Sequence, residues 1–336
     1  MTGGYAARRL VALGTTVLLA CLALSPAFAE TEQAPAGPAQ GDHFDCRQLA
    51  EWGPPVTPRD WFERSLWAGH CHVFQALAVR IGVDGVRTLA LSRDIEAGIE
   101  LETAQFLDGP AMHFERQGRI GRLHWSDQGE AVASPAGVAR HVEKHYRLAT
   151  GSDERIANRS AVRLDIQPLD EMRFGHRLWL DTQTALVLKH ELIDERGRVV
   201  ETFQLTELEA LRLHDGEVML DPARALPEQP WWPDWLPSGF IGQPVDNLTD
   251  QPGRNNAHRI YSDGLSTLSL FVEPIEEGRE RLIPGLHRLG ISLAVVRHDM
   301  VAGRPMQIVA MGELPPRILV QVAENLRWQE SVATED

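Results

Sequence analysis

Cysteine is scarce in this chain: 336 residues carry three, too few for a disulfide-dense scaffold or a cysteine-rich metal cluster. Basic residues are outnumbered, 33 Lys and Arg against 47 Asp and Glu, for a formal charge of −14. Nucleic acid is therefore excluded as a partner, because surfaces that hold phosphate backbones are basic, and broad adhesion to anionic headgroups is disfavoured. Long apolar runs are absent beyond the first thirty residues, so nothing later approaches the ~20 apolar residues needed to span a bilayer. Missing too are the G-x-S-x-G elbow, H-E-x-x-H, the P-loop and G-x-G-x-x-G, so local spacing announces no nucleophile, zinc or phosphate site. Asp165 with Asp170, and Glu191 with Asp194, can be posed as acid/base pairs, but spacing alone does not fix the geometry such a pair needs. The expectation is a protein that binds and does not catalyse, with no cofactor and no metal.

What the chain does have begins at its start. Arg8 and Arg9 precede an apolar run from Leu10 to Leu24, and Ala27-Phe28-Ala29 stands before Glu30, the layout of a secretory signal over residues 1–29. Val17 to Cys21 could also be a lipobox and Arg8-Arg9 a twin-arginine signal, but Cys21 is followed by more apolar residues and no further twin-arginine consensus is visible. Removing the signal takes the charge to −16, since its only charged side chains are Arg8 and Arg9. Residues 30–41, rich in Ala, Pro, Gly and Gln, read as a flexible leader, and 330–336 as a flexible tail. A local basic patch of Arg279, Arg281, Arg288 and Arg297 could still meet an acidic partner.

After cleavage Cys46 and Cys71 remain, an even number in an oxidising compartment. Either they form a disulfide, which by closing a ~25-residue loop contributes on the order of 3 kcal/mol, or they are two buried thiols. His70-Cys71-His72 invites a metal reading, but strand alternation would put both histidines on one face and Cys71 on the other, with no spaced second ligand group.

Periodicity points to sheet. His176, Leu178 and Leu180 alternate with Arg177, Trp179 and Asp181; Leu186, Leu188 and Leu192 repeat the two-residue period after a Thr182-Gln183-Thr184 turn; Val199, Phe203 and Leu205 follow the Glu195-Arg196-Gly197-Arg198 break. Glu201 and Glu207 interrupt that last run, as expected near a sheet edge or rim. Further short strands are predicted over His70–Ile81, Val86–Ser92, Ile99–Leu107, Ala111–Arg116 and Ile120–Trp125, after a helix capped by Thr57, with Pro58 at its first position and Asp60 three after the cap, running to about Ala68. The fold class is α+β: a large curved antiparallel sheet, or half-barrel, over 42–213, and a smaller α+β domain over 231–329. Five prolines between Leu213 and Gly239 mark 214–230 as a linker. In the second domain, strands are expected over His258–Tyr261, Leu268–Val272, Ser292–Arg297 and Met306–Met311, and Pro315-Pro316 opens a closing helix with Ile318, Leu319, Val322 and Leu326 on one face.

Several segments carry a family resemblance. They are Leu107 to Pro110, Arg116 to Gly118, Arg173-Phe174-Gly175-His176-Arg177-Leu178-Trp179-Leu180-Asp181, Leu192 to Thr206, Trp235-Leu236-Pro237-Ser238-Gly239-Phe240, Tyr261 to Ser266, Phe271 to Glu273, and Met311-Gly312-Glu313-Leu314-Pro315-Pro316. No single one is a specific motif, but in order and spacing the set resembles the RseB/MucB family, periplasmic regulators of the sigma-E (AlgU) envelope stress response. The resemblance implies a first domain like the lipoprotein carriers LolA and LppX. It implies a periplasmic negative regulator, usually a homodimer, that binds the periplasmic part of an RseA/MucA-like anti-sigma factor and shields it from site-1 proteolysis until lipopolysaccharide or another acyl-chain ligand releases it. The chain departs from the family's pattern at His43 to Val73, at Leu248 to Ala257, and at Ala185, where a turn glycine is expected. The alternative is a periplasmic lipid or lipoprotein carrier of LolA type.

Candidate binding residues follow from side-chain type. Phe174 and Trp179 line or rim the sheet, or are core. Tyr261, Asp263 and Gly264 contact a partner, or make a turn before a strand. Trp231, Trp232 and Trp235 anchor a partner, or clamp the two domains together.

Overall fold

Thr57 starts the first long helix in the way its spacing foretells. In the computed structural model, which describes residues 43–118, 135–219, 229–243, 257–276, 281–289, 292–301 and 303–329, a short strand β1 (His43–Asp45) and a helical turn α1 (Gln48–Glu51) precede helix α2 (Pro58–Cys71). The Thr57 hydroxyl accepts from the Asp60 amide at 3.1 Å and the Asp60 carboxylate accepts from the Thr57 amide at 2.8 Å, so two otherwise unpartnered donors are satisfied at once. The helix runs three residues past the expected Ala68. Cys71, in its last turn, is joined to Cys46 by a disulfide, with both residues fully buried. The predicted signal, the leader, the tail, Cys21, Arg279 and the strand over Ile120–Trp125 lie outside the described residues.

Among the described residues the main sheet has nine strands: β2 (His72–Gly82), β3 (Gly85–Glu96), β4 (Ile99–Phe106), β5 (His113–Gly118), β6 (Tyr146–Ile156), β7 (Arg159–Pro168), β8 (Gly175–Asp181), β9 (Val187–Ile193) and β10 (Val199–Leu213). Their order is β5-β4-β3-β2-β10-β9-β8-β7-β6, and every pairing is antiparallel. The sheet is curved and open. β10 and β6 stand four places apart in that order, about 19 Å on a flat sheet at ~4.8 Å per strand, yet their Cα atoms come within 8 Å of each other. Bulges between Leu205 and Glu207 on β10, and between Thr150 and Asp153 on β6, supply local bending.

One sequence expectation is corrected here. β10 lies at the centre of the sheet, fifth of nine, and Glu201 does not mark an edge. It is buried because Arg80 on the neighbouring strand β2 brings its Nε within 2.6 Å of the carboxylate, an arrangement that alternation alone does not reveal.

Helix α3 (Pro135–His145), which periodicity missed, lies beside α2. Phe62 and Leu66 of α2 and Val138, Ala139 and Val142 of α3 pack onto Leu164, Ile166, Leu178 and Leu180. Each large apolar side chain so buried contributes roughly 1.5–3 kcal/mol. A second cluster, from Phe74, Leu89 and Phe106 to Leu188 and Phe203, fills the other half of the lobe. At one end β1 pairs with β11 (Glu217–Met219), and Phe44 stacks on Trp67 beside the disulfide.

The second lobe contains β12 (Trp231–Pro233), β13 (Ile241–Gln243), β14 (Ala257–Ser262), β15 (Thr267–Pro274), β16 (Gly285–Leu289), β17 (Ser292–Val301), β18 (Arg304–Gly312), helix α4 (Pro316–Glu324) and β19 (Leu326–Trp328). Among the described residues six strands form a sheet in the order β13-β14-β15-β18-β17-β16, and α4 lays Ile318, Leu319 and Val322 on it. Leu326, expected on the helix, instead opens β19, which pairs with β12; the helix has ended at Asn325, whose side chain bonds back to the Gln321 carbonyl.

Candidate functional site

Where the lobes meet, a set of polar side chains is buried. Arg173, in the loop after β7, and Asp263, in the turn between β14 and β15, are both fully buried, with Nη1 and Oδ2 at 2.7 Å. The same oxygen accepts from the Tyr146 hydroxyl at 2.7 Å. The other Asp263 oxygen accepts from the Leu265 and Ser266 amides, which fixes the turn. Arg173 also pairs with Asp170 at 2.9 Å and donates to the Ser238 carbonyl at 2.6 Å, while its guanidinium lies 5.3 Å from the centre of the Tyr146 ring and 5.6 Å from that of Phe240. Five donors in a rigid fork suit this convergence of carboxylates and carbonyl.

The electrostatics follow from that geometry. Burial alone would lower the Arg173 pKa, but Asp263 and Asp170 keep it raised. Burial, then the Asp263 charge, holds the Tyr146 phenol well above its ordinary range, so it stays a donor. On α3, burial lowers both His141 and His145; His141 Nε2 lies 2.9 Å from the Gly239 carbonyl. Gly239 sits at φ +86, where a Cβ would come within 2.4 Å of His145 Nε2, so the backbone of the second lobe can approach α3 only without a side chain there. Ile241 and Leu265 complete the junction by packing on the cluster that contains Tyr146 and Leu178, and Arg317 of α4 donates to the Glu171 carbonyl.

The candidate residues fall in different places. Asp263 and Gly264 are in the junction; Asp263 both makes the turn and crosses to the other lobe. Phe174 is buried directly after Arg173. Trp179 is buried under the Lys189 ammonium, 4.0 Å from the ring centre, and the Arg177 guanidinium, 5.9 Å away. Trp231 and Tyr261 are in the core of the second lobe and Trp235 packs against it, as does Met172 of the first lobe. Trp232 is 44% exposed.

Each carboxylate of the posed acid/base pairs is met by a cation. Asp165 pairs with Arg163 and Arg177, Glu191 with Arg177 and Lys189, Asp170 with Arg173, and Asp194 with Arg198. His70 and His72 also diverge, because His70 lies in the last turn of α2 while His72 begins β2. The first lies 2.7 Å from Glu100 and the second turns its Nδ1 to the Ala68 carbonyl. Glu100, held down at about 2 despite its burial by His70, Arg93 and Arg116, anchors a buried network that includes Glu102.

Sequence reasoning missed Tyr146, His141, His145 and Arg173 as site residues. Their partners lie far along the chain, 117 positions from Tyr146 and 90 from Arg173.

An open antiparallel sheet with a small α+β lobe docked through a buried polar junction defines a two-lobe binding scaffold. The chain belongs to the MucB/RseB family: the model of the MucB/RseB N-terminal domain matches residues 57–228 and that of the MucB/RseB C-terminal domain residues 225–327. A curated relative, the sigma factor AlgU regulatory protein MucB of Pseudomonas aeruginosa, is 30% identical over 199 residues, 54% of this chain and 60% of the relative. The sigma-E factor regulatory protein RseB of Escherichia coli K12 is 23% identical over 205 residues, 56% of this chain and 61% of the relative. The matched stretch thus spans about three fifths of those relatives. Among solved structures, the Pseudomonas aeruginosa MucA/MucB complex aligns at TM-score 0.61 and 26% identity, covering 82% of this chain and 99% of that one. MucB in complex with MucA(peri) aligns at TM-score 0.61 and 26% identity over 81% and 99% of the two chains.

Proposed function

We propose that this chain is a periplasmic negative regulator of an envelope stress response, which holds the periplasmic segment of a membrane-embedded anti-sigma factor and shields it from its initiating protease. The observation that carries the reading is the pairing of both family domains, in order, with an architecture that aligns over 99% of a MucB chain bound to MucA. The reading takes residues 1–29 as a cleaved export signal, 30–41 as leader, 42–213 as the first domain, 214–230 as linker, of which 217–219 pair with β1 of the first lobe, 231–329 as the second domain and 330–336 as tail. A homodimer is the working form, and lipopolysaccharide or another acyl-chain ligand is the releasing signal. By linkage, such a ligand loosens the partner only as far as it prefers the partner-free state.

The arrangement of the charged groups supports holding over catalysis. The carboxylates posed as acid/base pairs are each neutralised by a cation, as described above. A pure carrier role has less support, because Phe74, Leu89, Leu91 and Phe106 are already buried and an acyl chain would have to displace something to reach them.

The test is affinity capture of the tagged mature chain from detergent-solubilised membranes of its own cells. Recovery of an inner-membrane anti-sigma factor is expected. Co-purified acyl chains with no protein partner would instead favour the carrier.

A further inference from the structure

In a chain this acidic, the outward face of the central strands carries no charge. On β2, Ala76, Ala78 and Arg80 turn inward and are buried, while Leu77, Val79 and Ile81 turn outward. Its neighbour β3 alternates in the same way, with Leu89 and Leu91 inward and Val86, Thr88 and Ala90 outward. Register carries the outward set across four strands. β4 places Gln105 beside Ala90 and Thr103 beside Ser92, and β10 places Thr202 beside Ile81 and Gln204 beside Val79. None of these outward side chains is charged or aromatic. Charge returns at the rim, with Glu115 of β5 across from Thr103, Glu191 and Lys189 of β9 across from Thr202 and Gln204, and Asp94 and Glu207 at one end.

Apolar side chains meet water in the middle of this face. Ile81 and Val86 are direct cross-strand partners, 46% and 60% exposed, and Leu77 and Leu107 are exposed as well. Covering such a patch is favourable when its occupant is also apolar and uncharged. A second copy of this chain fits that description. At a formal charge of −14 two copies repel each other, and they do so least where neither presents a charge. An acidic or basic segment would find no counter-charge on the patch, and a sugar no ring to stack on. Twisted sheets pack face to face by interdigitating their side-chain rows, and a two-fold axis through the Ile81/Val86 row makes one patch its own complement. Four strands at ~4.8 Å and about eight residues at ~3.3 Å give a footprint of roughly 500 Å². That is below the ~800 Å² per partner of a standard interface, so the dimer is expected to exchange with monomer.

We propose that the outward face of β4, β3, β2 and β10 is the interface of a two-fold dimer, in which two sheets stack through Leu77, Ile81 and Val86. The inference deepens the proposed function, and rests on it for the use of the dimer but not for the surface that makes it.

The test is sedimentation velocity of the whole mature chain over a range of micromolar concentrations, at low and at high salt. The expected result is a monomer–dimer equilibrium that tightens as salt screens the repulsion between copies. Ile81→Glu/Val86→Glu is expected to raise the dimer Kd by about 100-fold or more, and Leu286→Glu, on an exposed position of β16 in the second lobe, to leave it unchanged. A chain that stays monomeric, or a dimer that the double variant leaves intact, overturns the proposal. If the double variant loses its thermal transition, Ala90→Cys decides instead: Cys46 and Cys71 are bonded to each other, so a bismaleimide joins two copies only through the new thiol. Crosslinking at Ala90→Cys and not at Leu286→Cys supports the interface, and the reverse overturns it. A monomer that still captures the anti-sigma factor overturns this interface and leaves the proposed function standing, whereas a dimer through this face that captures no such factor does the opposite.

Discussion

Arg173 and Asp263, ninety positions apart in sequence and both fully buried, meet at 2.7 Å across the two lobes. Removing Asp263 leaves the fully buried Arg173 with Asp170 as its remaining carboxylate and takes the acceptor from the Tyr146 hydroxyl. Asp263→Ala is expected to cost on the order of 3–5 kcal/mol, read as a fall in the urea midpoint. The double change Arg173→Met/Asp263→Ala is expected to cost less than Asp263→Ala alone, because the charge that then loses its Arg173 partner, Asp170, is partly exposed to water.

Cys46 and Cys71 close a loop of 25 positions between β1 and the end of α2. Cys46→Ala/Cys71→Ala is expected to lose roughly 3 kcal/mol in thermal or chemical denaturation. Adding a reductant is expected to bring the denatured wild type to the same stability and leave the variant unchanged.

Two backbone positions have opposite expectations. Ala185 is buried in the turn between β8 and β9 with φ +61, left-handed backbone that costs a side chain about 1–2 kcal/mol. Ala185→Gly is expected to stabilise by up to about 1 kcal/mol, since glycine's greater unfolded freedom offsets part of the relief. Gly239→Ala, aimed at the His145 ring, is expected to loosen the junction, read as faster amide exchange at Tyr146 and Asp263.

Glu313 has a pKa raised to about 7, chiefly by burial, from an ordinary 4.5. The native state holds this proton more tightly than the unfolded chain, so the stability it contributes is full below about 4.5 and is lost as pH rises to about 7. Glu313→Gln is therefore expected to leave stability nearly unchanged at pH 4 and to raise it by roughly 1–3 kcal/mol at pH 8, measured by denaturant titration at both pH values.

Much of the fold was legible in local pattern. The alternation from His176 to Leu205 matches β8, β9 and β10, and Thr57-Pro58-x-Asp60 matches the capped start of α2, because both signals are set by neighbours in sequence. α3 escaped because its apolar face is only Val138, Ala139 and Val142, short enough to pass for loop. β10 read as an edge because Glu201 interrupts it, and the cation that makes Glu201 tolerable is on a strand more than a hundred residues earlier. The junction was the least legible part. Asp263-Gly264 announces a turn in any protein, and only the folded chain brings Tyr146 and Arg173 onto that carboxylate.

The central claim, that this chain works by holding a protein segment, is tested most directly by following cleavage of the anti-sigma factor's periplasmic segment by its site-1 protease, with and without the purified mature chain. The expected result is cleavage that slows as the chain is titrated in and recovers when lipopolysaccharide is added. Cleavage at an unchanged rate with the chain in saturating excess would contradict it.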